Sequence, residues 1–124
     1  MGDEATSGQA FQWALTNGDI DQVKTCINEN KTLAGEMLPN GRYPLSVAAD
    51  YGQKEVIEFL ITKGADVNAN DRYGISPLLS AIYEGHTECV KILLQKGANK
   101  TVTAPDGSSL IDCAEKEEIK ALLK

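Results

Sequence analysis

The sequence predicts an all-α solenoid of about four helix–turn–helix units joined by β-turn loops. Two observations predict it. The first is a fixed period: Gly41, Gly74 and Gly107 are equally spaced, and Leu45, Leu78 and Ile111 repeat the same step, as do Ala48, Ala81 and Ala114. Pro44 and Pro77, Gly52 and Gly85, and Gly64 and Gly97 keep it too. A period of about 33 residues marks stacked units, none of which buries its apolar face alone. The second is apolar spacing. Glu55-Val56-Ile57-Glu58-Phe59-Leu60-Ile61 and Glu88-Cys89-Val90-Lys91-Ile92-Leu93-Leu94 place apolar residues at helical intervals on a wide face.

The units are expected at about 9–38, 39–71, 72–104 and 105–124, after a loose tail at 1–8. In the first unit Ala14 and Gly18 precede Ala48 and Gly52 by one position more than the period, which implies one extra residue in the first loop. In the second and third units Pro44 and Pro77 suit the first turn of a helix, where the missing N–H costs nothing. Ser76 has a hydroxyl with which to cap its helix and Tyr43 has not. Ala48, Ala49 and Ala81 let neighbouring helices approach closely. Gly52 and Gly85 end the first helix of each unit, and Gly64 and Gly97 stop the second. Asp66-Val67-Asn68-Ala69-Asn70-Asp71 then runs extended into the next loop. The last unit has Leu110 in place of the proline and Glu118 in place of the mid-unit glycine. Divergent end units fit caps that turn one face to water.

Composition narrows the function. A chain of 124 residues is long enough for one domain with a real core. A net charge of −6 without a basic cluster argues against nucleic acid and anionic membranes. It suits a basic protein surface, through long-range attraction. The longest apolar run falls short of a membrane span, and the acidic start MGDEATSGQ is unlike a signal peptide. Cys26, Cys89 and Cys113 are odd in number and form no CxxC pair, which fits small buried residues in a reducing compartment. His86 is the sole histidine, and nothing in the sequence supports a Ser-His-Asp or Cys-His set around it. There is no H-E-x-x-H and no P-loop. Asp66-Val67-Asn68-Ala69-Asn70 begins like a calcium loop, yet Asp71 stands at the sixth place and Pro77 at the twelfth. Catalysis, metals and cofactors are therefore not expected.

The stretch KGADVNANDRYGISPLLSAIYEGHTECVKILLQKGA resembles the ankyrin repeat, whose pattern includes T-P-L-H-x-A and a G-A-D-V-N tail. Ser46 and Leu79 stand where that pattern has His. That His braces the loop below it, so bracing here is expected to be weaker or supplied differently. Further stretches include WALTNGDIDQVK, AADYGQ, IYEGH, KTV and PDG, of which IYEGH and KTV with PDG are not generic repeat pattern. They are similar to a small actin-regulating branch of the family. That resemblance implies a cytoplasmic monomer, with the nucleus left open, that binds the actin filament capping protein heterodimer and blocks barbed-end capping.

On an ankyrin solenoid, loop tips and the exposed ends of the first helices line one concave surface. The resemblance thus implies helix-end positions at Asp50, Tyr51, Tyr83, Glu84, Lys116 and Glu117, and tips at 39–40, 71–73 and 105–106. The expected partner-binding set is Trp13, Asp50, Asp71, Tyr73, Tyr83, Glu84 and Asp106. Asp50 and Glu84 sit near helix C-termini, where the macrodipole disfavours negative charge by roughly 0.3–1 kcal/mol. Residues placed against a local preference point to function; the plain alternative is a solvated turn beside glycine. Tyr73 and Tyr83 are read as aromatic anchors, with packing between neighbouring tips as the alternative. The helical spacing of Trp13 fits core or capping better than contact. Another basic partner, such as a transcription-factor dimer, is the competing functional reading.

Overall fold

A computed structural model describes the backbone of residues 3–124 and the side chains of residues 9–124. The order of elements is α1 (Asp3–Asn17), α2 (Ile20–Glu29), a 3-10 turn (Leu33–Gly35), α3 (Pro44–Asp50), α4 (Lys54–Thr62), α5 (Pro77–Glu84), α6 (Thr87–Gln95), α7 (Leu110–Cys113) and α8 (Glu117–Leu123). The segment expected as a tail, 1–8, overlaps the start of α1. Met1, Gly2 and the side chains of residues 3–8 lie outside the described residues.

The helices form two layers. α1, α3, α5 and α7 stack one on the next, and α2, α4, α6 and α8 stack behind them. Each unit contributes one helix to each layer, and the odd and even helices of a unit also pack together. The recurring alanines explain the close inner stack: Ala14, Ala48 and Ala81 are buried on the inner helices and Ala114 is buried just after the last of them, so little more than a methyl group separates neighbours. Between the layers lie Leu15, Ile27, Leu45, Ile57, Leu60, Leu78, Ile82, Leu93, Leu110 and Ile119, each fully buried. Burying such a side chain is worth about 1.5–3 kcal/mol. Stacking of these faces is therefore what holds helices this short, which are unstable alone in water.

Local signals end the helices where expected. Ser76 Oγ accepts from the Leu79 amide at 3.1 Å, whereas Tyr43 makes no side-chain cap. Gly85 closes α5 in the left-handed region at φ 72°, which a Cβ disfavours. Gly52 is constrained twice: its φ is also 72°, and a Cβ there would lie 2.7 Å from His86 Nδ1.

That contact belongs to a ladder between units. Gln53 Nε2 donates to the Thr16 carbonyl at 2.8 Å, and His86 Nε2 faces the Asp50 carbonyl at 3.0 Å. A carbonyl only accepts, so His86 donates there. Gln53 and His86 stand one period apart, and each satisfies a carbonyl at the end of the preceding inner helix.

The last unit differs from expectation. α7 ends at Cys113 and Ala114 is extended (φ −83°, ψ 133°). Lys116 and Glu117 consequently do not end an inner helix; Lys116 precedes α8 and Glu117 begins it. Ser109, one period after Ser76, caps this short helix through the Asp112 amide at 3.2 Å.

Candidate partner-binding face

The inner helices and loop tips carry most of the large exposed apolar side chains. Trp13 and Tyr73 are each 57% exposed, Tyr51 52% and Tyr83 47%. Trp13 is therefore not the core or capping residue that its spacing suggested. Its neighbours Phe11, Ala14 and Leu15 take the buried positions of α1 and leave the indole outside.

The acids divide into exposed and enclosed groups. Glu84 ends α5 in solvent and, like Trp13, makes no side-chain hydrogen bond or ion pair among the described residues. Asp106 is exposed at its tip, where Oδ1 accepts the Ser108 amide at 2.9 Å; that bond favours the charged form and holds the carboxyl below its ordinary pKa. Asp71 corrects the expectation of an exposed tip acid: its carboxylate is fully buried. Oδ1 accepts the amides of Tyr73 at 2.8 Å and Ile75 at 3.0 Å. This carboxylate shapes the tip from inside and is not a contact surface for a partner. Asp50 is half-way between, with its side chain 28% exposed.

Both Asp50 and Asp71 face a residue absent from the expected set. Arg42 Nη1 lies 3.5 Å from Asp50 Oδ2, and Nε lies 3.4 Å from Asp71 Oδ2. Its Nη2 donates to Ser80 Oγ at 3.1 Å and to the Ser46 carbonyl at 3.4 Å. One guanidinium thus joins α3, α5 and the tip between them. Asp71 Oδ2 has no hydrogen bond of good geometry, so the Arg42 charge is its compensation. The bracing lost with the family's His is supplied here by arginine. The Ser46 hydroxyl is buried without a partner and does not take over that role. A signal was present in the sequence: Arg42, Ile75 and Ser108 stand one period apart, so a base enters the repeat two residues before the first proline.

The two tips are tied to each other as well. The Arg72 amide donates to the Gly41 carbonyl at 2.9 Å, and Tyr73 Oη donates to the Asn40 carbonyl at 3.3 Å. Tyr73 therefore lies across the preceding tip with its ring exposed. Further along, desolvation, the Cys113 thiol and Asp106 together raise the Tyr83 phenol above its ordinary value. Tyr83 is a neutral hydrogen-bonding aromatic at any physiological pH.

The structure thus brings Asp50 to Asp71 through Arg42, and Tyr83 close to Cys113 and Asp106. It brings Tyr73 onto the 39–40 tip and leaves Trp13 and Glu84 separate on their helices. Elsewhere Asp66 Oδ1 closes a turn by accepting the Asn68 amide at 2.9 Å. Among the described residues no helix is long and apolar enough to cross a membrane.

Comparison with known proteins agrees with this architecture. A family model of three ankyrin repeats matches residues 11–104. Myotrophin of Xenopus tropicalis is 50% identical over 91% of this chain and 95% of its own length. Protein phosphatase 1 regulatory subunit 27 of Homo sapiens is 31% identical over 86% of this chain and 71% of its own. The ankyrin repeat and SAM domain-containing protein 6 of Rattus norvegicus is 35% identical over 80% of this chain, but that is only 11% of the larger protein.

Proposed function

This chain belongs to the ankyrin-repeat family as a myotrophin-like, protein-binding member, and on that premise we propose that it sequesters the actin filament capping protein heterodimer. By covering a basic surface of that partner it keeps barbed ends free and favours actin assembly. It does this stoichiometrically in the cytoplasm, as a monomer and without chemistry.

The observation that carries the reading is the exposure of four aromatics, Trp13, Tyr51, Tyr73 and Tyr83, on inner helices and tips, with the acids Glu84 and Asp106 near Tyr83. Large rigid aromatics anchor interfaces, and charges around them steer the encounter. The chain's net charge of −6 is of the sign that a basic partner requires. Asp50 contributes less to steering than its charge suggests, since Arg42 already faces it.

The deciding experiment is barbed-end elongation of actin with capping protein, titrated with this chain. Elongation recovering to its uncapped rate supports the reading; capping unchanged at excess chain refutes it. Tyr83→Ala is expected to weaken binding by at least about 2 kcal/mol through faster dissociation. Glu84→Arg is expected to slow association and flatten its salt dependence.

A further inference from the structure

We infer that Arg42 is the positioning residue of this binding face. It sets the 71–75 tip and thereby presents Tyr73, without itself serving as the anchor. The inference rests on the partner reading above only for its binding consequence.

The tip's backbone bonds, Asp71 N–H to the Ile75 carbonyl at 3.0 Å and Arg72 N–H to the Gly41 carbonyl at 2.9 Å, leave the amides of Tyr73 and Ile75 to be satisfied by a side chain. Ile75 is only partly buried, and Tyr73 and Arg72 are exposed. One carboxylate supplies that side chain: Asp71 Oδ1 takes the amides of both Tyr73 and Ile75. Burying a carboxylate without a counter-charge beside it is costly. Among the described residues, Arg42 is the cation within ion-pair distance of Asp71, at 3.4 Å. The guanidinium is itself oriented by Asp50, Ser80 Oγ and the Ser46 carbonyl, spread over α3 and α5. The geometry of Tyr73 therefore depends on a residue one unit earlier.

Lysine at this position keeps the charge but lacks the planar fork that reaches Asp50, Asp71 and Ser80 together. Arg42→Lys is therefore the informative variant, because Asp71 keeps a cation nearby and the solenoid stays folded. Three readouts are compared with wild type: amide exchange at Tyr73 and Ile75, exchange in α6, and capping-protein dissociation rate. The expected result is exchange at Tyr73 and Ile75 faster by about tenfold or more, with α6 unchanged. Dissociation should quicken by about tenfold, and Tyr73→Ala should add almost nothing in the Arg42→Lys background.

Exchange at Tyr73 and Ile75 unchanged in Arg42→Lys would overturn the inference. So would fully additive effects of Arg42→Lys and Tyr73→Ala on dissociation, since Arg42 would then act independently of the tip. Uniform acceleration that includes α6 would show a general stability role and sink it too. If wild type fails to bind capping protein, the partner reading falls, while the exchange arm still decides whether Arg42 sets the tip.

Discussion

The two central inner helices occupy the same place in the repeat and are secured by different means. α5 has a serine cap at Ser76, Leu79 buried at 2% exposure, and a left-handed glycine at its end. α3 has no side-chain cap, a buried Ser46 hydroxyl without a partner, and Arg42 crossing to two carboxylates. Both helices rely on apolar burial and a left-handed glycine after them; α5 adds a local serine cap, whereas α3 adds charge spanning two units. The lesson is that a repeat fixes where a helix must sit while leaving open what holds it there. Charge is the more specific device: burial tolerates many apolar residues, but a buried carboxylate requires a cation in one place.

The comparison breaks most sharply at the charge. Arg42→Leu leaves Asp71 buried and uncompensated, and urea unfolding should show a loss of about 3 kcal/mol, at the low end for a broken buried pair because the guanidinium reaches water. Leu79→Ala tests the apolar device. Its expected loss of about 2–3 kcal/mol comes from lost burial plus a residual cavity, and the two losses should differ in salt sensitivity. Caps come next. Ser76→Ala should cost about 1 kcal/mol, and Tyr43→Ser should regain up to about 1 kcal/mol by giving α3 the cap it lacks. Ser46→Ala should be neutral or slightly stabilising in the same unfolding experiment, within about 0.5 kcal/mol, because it removes a hydroxyl that burial leaves unbonded.

A pH series sharpens the picture of the apolar side. Burial pushes the Cys89 thiol up to about 11, opposed in part by Lys54. The folded thiol therefore holds its proton where the unfolded thiol releases it. Above about pH 8.5 the unfolded state is favoured by that release, and stability declines until the folded value is passed. Cys89→Ala should show a shallower decline from about pH 9 to about pH 11, whereas Arg42→Leu should leave that slope unchanged.

Much of the fold was legible in the sequence because glycine, proline, alanine and serine act locally. The repeat period, the capping by Ser76, the turn at Gly85 and the buried alanines each follow from residue type and neighbours alone. The candidate face was legible only in part. Tyr73, Tyr83, Glu84 and Asp106 are exposed as expected. Trp13 was misplaced because its spacing on α1 is compatible with either face, and only the packing of Phe11 and Leu15 decides which is outside. Asp71 was misplaced because a tip acid reads as solvated until the amides of Tyr73 and Ile75 are seen to enclose it.

By itself the sequence determined a stack of ankyrin units with an acidic character suited to a protein partner. Those properties come from periodicity and net charge, which need no coordinates. Only the tertiary structure decided that Arg42 faces Asp50 and Asp71, and that it does the bracing left open by the missing histidine. Arg42 and Ser80 are 38 residues apart in the chain and 3.1 Å apart in space. Hydrogen bonds and ion pairs alike depend on distance in space, and separation along the chain does not report it until the units have stacked.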